Sequence, residues 1–306
     1  MNVAYFGMMI VGAVVCTALF AGLLNQKGMK ASGAVWMLPL AAALGFACAK
    51  AVYCLLMVQF VGPRYGLGAL VRMEKGEFSF FGGCAGVLLG AALAGRITRQ
   101  NRAQFLDAFA PAGALMVCFA RASEYYLGEF NIPSDEIETE FFHRFPFAIT
   151  NEWEEWYAAL FMLAALFALI VFVLSLCRKQ ESRIDGLRIE RTIFYLCLPQ
   201  VFCESLRSDG IMWGFVRAEQ VLCGLCMFAL LLIHCRAAKE KGKWKTYWPL
   251  YADLGCILVM VFVEFNLDKT FVDIPSFLNY GLMWLALLGI AGCECFCVRR
   301  RMKRTK

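Results

Sequence analysis

The chain has 306 residues, 60% of them hydrophobic, with a net charge of +6 and a mean hydropathy of +0.61. That much apolar sequence excludes an ordinary water-soluble domain, and its helical rather than alternating period excludes a membrane β-barrel. The positive charge is confined to a few loops, a pattern of membrane topology, so nucleic acid is excluded as a partner.

Nine apolar runs follow in chain order, at about 3–24, 33–60, 79–95, 107–127, 156–177, 191–206, 211–234, 247–266 and 277–298. Most reach the ~18–20 residues that span a bilayer as helix, and 191–206 is short with a polar end. Loops carrying Lys27 and Lys30, then Arg96, Arg99 and Arg102, then Arg178 to Arg191, then Arg236 to Lys245, fall on one side with the tail Arg299–Lys306. The opposite loops are acidic, above all 129–155. The positive-inside rule then puts the N-terminus outside and the C-terminus in the cytoplasm. The first run has no basic segment before it, so it reads as a span and not as a cleavable signal. The predicted fold is all-α: a polytopic integral membrane helix bundle of about seven core transmembrane helices over 1–234. An outer head segment at about 128–155 interrupts it. A transmembrane hairpin and basic cytoplasmic tail, 235–306, are appended to it.

Charged residues in apolar sequence are the candidates for chemistry, because a charge in a bilayer costs roughly 2.5–3.5 kcal/mol on insertion scales. Arg121 and Glu124 stand at i,i+3 and can share a helix face, with Glu129 following; Glu204 and Arg207 repeat the spacing. Each pair reads either as a brace between helices or as a holder for a phosphate, whose oxygens suit the guanidinium fork. Lys50, inside the second run, either snorkels or serves a site. Gly82-Gly83 opens a span, where free N–H groups could bind an anion; Gly86, Gly90 and Gly95 continue a small-residue face for helix packing.

Fifteen cysteines sit in or beside the spans and none in the long outer loop, which argues against a disulfide framework. Cys223 and Cys226 are a redox pair or simply small packing residues. Cys293, Cys295 and Cys297 could bind metal or carry palmitate. The two histidines, His143 and His234, lack a ligand set around them, so no metal centre is predicted. His143 is a solvated loop residue or a base; His234 caps a span.

The order of these elements resembles the prolipoprotein diacylglyceryl transferase family, bacterial membrane enzymes that lipidate lipoprotein precursors. The likeness runs through Tyr5-Phe6-Gly7, Ala49-Lys50-Ala51-Val52-Tyr53, Phe78-Ser79-Phe80-Phe81-Gly82-Gly83, Phe105-Leu106-Asp107 to Pro111, Arg121 to Glu129, Phe145 to Ile149 with Trp156-Tyr157, and Glu204 to Asp209. It covers roughly 5–234. Phe81 stands where the family has histidine, Glu124 and Leu127 where its signature has asparagines, Gln200 where an arginine precedes Glu204, and Lys50 where it has arginine.

The resemblance implies a protein of the bacterial cytoplasmic membrane. It would move a diacylglyceryl group from phosphatidylglycerol, or a similar anionic phospholipid, to a cysteine thiol of a prolipoprotein. The precursor's signal peptide and the lipid would both enter from the bilayer, and no cofactor is implied. Arg121 and Arg207 would hold the phosphate, Glu204 would orient Arg207, and Glu124 or Glu129 would position the head group or take a proton. Lys50, Gly82, Gly83, Tyr53 and Tyr126 would contact the lipid. Action on another lipid substrate and lipid binding without catalysis are the alternatives for the same fold.

Overall fold

The structure is a computed structural model that describes residues 3–74, 76–127, 134, 136–137, 140–144, 147–151, 153–178, 184–208, 210–213, 216–238, 247–269, 272 and 274–304. Among them are ten α-helices: α1 (Val3–Gln26), α2 (Ser32–Leu56), α3 (Val58–Tyr65), α4 (Phe80–Ile97), α5 (Arg102–Ser123), α6 (Leu160–Cys177), α7 (Leu187–Ser205), α8 (Ala218–Ala237), α9 (Trp248–Lys269) and α10 (Ser276–Arg304). All but α3 and α7 are long and apolar enough to cross a bilayer, so the chain is an all-α multi-pass membrane protein. Helix α7 forms over the short run at 191–206 but starts at Leu187, taking in the charged Arg188, Glu190 and Arg191.

Several further boundaries differ from the hydropathy reading. The second span ends at Leu56 and not at 60, because the chain breaks at Met57 before the short helix α3. Helix α5 starts at Arg102 and not at 107, because Asn101 caps it by accepting hydrogen bonds from the Ala103 and Gln104 amides. The runs at 156–177 and 211–234 begin as short strands. β1 (Ala148–Thr150) pairs antiparallel with β2 (Trp156–Ala158), and β3 (Met212–Trp213) with β4 (Val216–Arg217).

The chain divides into two compact units, Met1–Thr192 with Leu206–Ile211, and Ile193–Ser205 with Met212–Lys306. The division falls inside α7.

In the first unit, α4 lies against α2 backbone to backbone. A Cβ on Gly86 would stand 2.2 Å from the Leu44 carbonyl oxygen, and one on Gly90 2.7 Å from the Ala41 nitrogen. Lipid-facing helices gain little from apolar burial, so close approach through small residues is what holds such a pair. On the other side Phe20 of α1 meets Phe105 and Phe109 of α5 edge-on, with centroids 5.0 and 5.5 Å apart. Asp107 of α5, 2% exposed, accepts from the Gly186 and Ile189 amides at 2.8 and 2.9 Å, capping the start of α7.

The second unit packs the rest of α7 with α8, α9 and α10. At one end Leu231, Cys235, Cys293 and Cys297 form a buried cluster, with the Cys235 and Cys297 sulfurs 3.2 Å apart. His234, fully buried, takes a contact from Arg301 Nη1 at 3.0 Å, and the Tyr195 hydroxyl donates to Glu294 at 2.9 Å. The two outer cysteines of the Cys293–Cys297 stretch are thus core residues, inaccessible to palmitate.

Candidate functional site

The candidate site lies in the first unit, where the last turn of α5 meets the first of α4. Arg121, 3% exposed, donates from Nη1 to Glu124 Oε1 at 2.5 Å. Its guanidinium carbon lies over the Phe80 ring, 3.5 Å from the centroid. The second Glu124 oxygen is 3.9 Å from Arg207 Nη1, an electrostatic contact and not a hydrogen bond. One carboxylate thus faces two arginines brought together from distant parts of the chain. Glu124 caps the C-terminus of α5, the negative end of the helix dipole, which disfavours an acid there by about 0.3–1 kcal/mol. A charge-assisted hydrogen bond, worth about 1.5–3 kcal/mol, outweighs that.

The Arg207 backbone is itself fixed, forming an antiparallel bridge with Ser134 of the head segment. Ser134 Oγ donates to the Ala158 carbonyl at 3.4 Å, and Glu136 bridges Tyr157. Among the described residues of the head, Ser134 thus reaches Arg207. His143 is part of the head's framework: its ring stacks on Trp156 at 5.0 Å, and Nε2 donates to the Ile137 carbonyl at 2.6 Å. That geometry replaces the expectation of a solvated histidine or a base. Glu155 accepts from the Tyr157 hydroxyl and from Asn151 Nδ2, each at 2.7 Å. These two bonds hold the Glu155 carboxyl below the usual carboxylate range, and the first raises the Tyr157 phenol.

The glycine pair serves packing. The Gly82 amide donates to Ser79 Oγ and the Gly83 amide to the Ser79 carbonyl, both at 3.0 Å, so neither N–H is open to an anion as expected. A Cβ on Gly82 would stand 2.7 Å from the Cys48 carbonyl oxygen of α2. Lys50, 2% exposed, sits in the last two turns of α2, and its Nζ is 2.8 Å from Glu77 Oε2. The Tyr53 and Phe78 rings flank the ammonium at 5.4 and 5.2 Å. Glu77 also takes Arg72 Nε at 3.5 Å. Tyr126, half-buried in the turn after α5, meets Tyr125 edge-on. Glu129 lies outside the described residues.

In the second unit Glu204 is 3% exposed, and its Oε1 accepts from Gln200 Nε2 at 2.6 Å. A family model for prolipoprotein diacylglyceryl transferase matches residues 1–236, more than half of the chain. The chain belongs to that family. Phosphatidylglycerol–prolipoprotein diacylglyceryl transferases of Listeria welshimeri serovar 6b and Listeria monocytogenes serotype 4b are 25% and 26% identical to it, over 227 and 230 residues. Each alignment covers 72% of this chain, and 81% and 80% of the relative. The Clostridium kluyveri protein of the same name is 24% identical over 72% of this chain and 87% of its own.

Against the family pattern, Gln200 keeps a hydrogen bond to Glu204 where the family's arginine would carry charge. Phe81, in the histidine position, has a hydrocarbon ring and offers no proton-transfer group. Sequence reasoning missed Phe80 and Glu77. Glu77 borders the quoted Phe78–Gly83 motif, and Phe80 lies inside it, one residue before the family's histidine position, which is the signal that would have found it.

Proposed function

We propose that this chain transfers the diacylglyceryl group of phosphatidylglycerol to a cysteine thiol of a prolipoprotein, in the bacterial cytoplasmic membrane. Family membership supports the reaction, and the single observation that carries the site is the Arg121–Glu124–Arg207 cluster against Phe80. As the sulfur–carbon bond forms, the carbon–oxygen bond to phosphate breaks, and the thiol proton passes by way of water to the departing glycerol phosphate. Negative charge grows on the leaving oxygen, and two guanidiniums are suited to hold it. Glu124, gripped by Arg121, serves here to orient the two arginines and not to accept the thiol proton. Glu204 belongs to the same machinery through the motif it shares with Arg207. Tyr53 and Tyr126 are hydroxyl donors toward the lipid head group, while Lys50, Gly82 and Gly83 shape its border. The signal peptide of the precursor approaches from the bilayer, and the basic loops and C-terminal tail face the cytoplasm.

A reading as a lipid-binding relative without catalysis is favoured by one observation, Phe81 in place of histidine. Complementation separates the two. Expressed in bacteria depleted of their own transferase, the chain is expected to restore diacylglyceryl-cysteine on lipoproteins, seen by mass spectrometry. Inserted, stable protein that yields none would support the second reading.

A further inference from the structure

Helices α9 and α10 lie beyond residue 236, where the family match ends. The hairpin nevertheless supplies a buried acid to the family part of the second unit. Glu264 of α9 is 5% exposed; its Oε2 accepts from Arg217 Nη1 at 3.2 Å and its Oε1 from Gln220 Nε2 at 2.8 Å. Gln220 lies in the first turn of α8, and Arg217 ends β4 just before it. The same Gln220 nitrogen donates to the Val201 carbonyl of α7 at 3.1 Å. Val201 adjoins Gln200, whose amide holds Glu204.

A second contact reaches the same turn of α7 from α10. Phe202 packs on Trp284 at 4.8 Å and on Tyr280 at 6.1 Å. The hairpin is locked near Glu264: Asn266 of α9 donates to Asn279 of α10 at 3.3 Å and accepts from the Val272 amide at 2.7 Å. An amide side chain can rotate, and a buried carboxylate facing Gln220 selects the orientation that presents Nε2 to α7.

We propose that Glu264 is a positioning residue for the transfer reaction: it fixes Gln220, and through it the turn of α7 that carries Gln200 and Glu204. The appended hairpin is on this view a working part of the enzyme. The inference rests on the proposed function, which places Glu204 in the reacting machinery.

The test uses full-length protein in phosphatidylglycerol vesicles with a cysteine-bearing signal peptide. Glu264→Gln keeps the shape but turns a donor toward Arg217 or Gln220. It is expected to lower kcat about 10- to 100-fold, the scale of a small misplacement near reacting groups, with KM for the lipid within about threefold. Glu264→Asp should recover part of that loss. Gln220→Met should reproduce the loss, and the double variant should lose no more than either single one. A merely structural role would lower the melting temperature and leave kcat per folded molecule intact, which would overturn the proposal. If Glu264→Gln does not fold, Gln220→Met decides alone, and full kcat there overturns it too. A wild type without transfer activity brings down the proposed function and this role with it. An active wild type with active variants brings down this role only.

Discussion

The guanidinium of Arg121 lies over the ring of Phe80, 3.5 Å from its centroid, and so joins the last turn of α5 to the first residue of α4. A cation–π contact of this kind contributes about 0.5–2 kcal/mol, the larger figure when desolvated. Phe80→Leu keeps apolar volume and removes the ring. It is expected to lower transfer rates about 3- to 30-fold, and Phe80→Trp to retain them, in initial-rate assays of diacylglyceryl transfer.

The two arginines differ from generic positive charge. A guanidinium can hold two phosphate oxygens at once while an ammonium is a point charge. Arg121→Ala and Arg207→Ala are expected to reduce turnover by about 10²–10³, the cost of one lost transition-state donor. Arg121→Lys should remain well below wild type. Full activity in Arg121→Lys would make that residue a brace between helices.

Lys50 and Glu77 form a pair in which the lysine is nearly fully buried, with 3% of its side chain exposed, and the acid is 15% exposed. Removing one partner strands the other, which costs about 3–5 kcal/mol for a fully buried pair and less here because Glu77 reaches solvent. Lys50→Met should lower the melting temperature in detergent, and Lys50→Met with Glu77→Leu should recover most of it. Lys50→Arg, the family's own residue at this position, should be close to neutral.

Gly86→Ala would put a methyl group 2.2 Å from the Leu44 carbonyl oxygen, which is backbone and cannot move without displacing α2. Overpacking of this kind costs about 1–3 kcal/mol. Thermal unfolding should show a clear loss for Gly86→Ala and little change for Gly7→Ala, where a Cβ would meet nothing within 4 Å.

Much of this was legible in the sequence because a bilayer imposes length. Runs such as 3–24 and 247–266 are spans on hydropathy alone, and α1 and α9 follow them within a few residues. Arg121 with Glu124 was legible too, because i,i+3 neighbours share a helix face. Partnerships across the chain were not. Nothing periodic marks Glu77 as the partner of Lys50, since Glu77 lies in a loop. Nothing local tells that Glu124 faces Arg207, because the two stand far apart in the chain. Helix α3 was missed because it is only 8 residues long and directly follows the Met57 break. The hairpin read as an appendage because Glu264 was seen without its donors, Arg217 and Gln220.

The most direct measurement is mass analysis of a synthetic cysteine-bearing signal peptide after incubation with purified protein in phosphatidylglycerol vesicles. The account predicts a diacylglyceryl mass added at the cysteine with release of glycerol phosphate, and its loss in Arg121→Ala and Arg207→Ala proteins that still insert and fold. An unmodified peptide with the wild-type protein, or equal modification by both alanine variants, would contradict it.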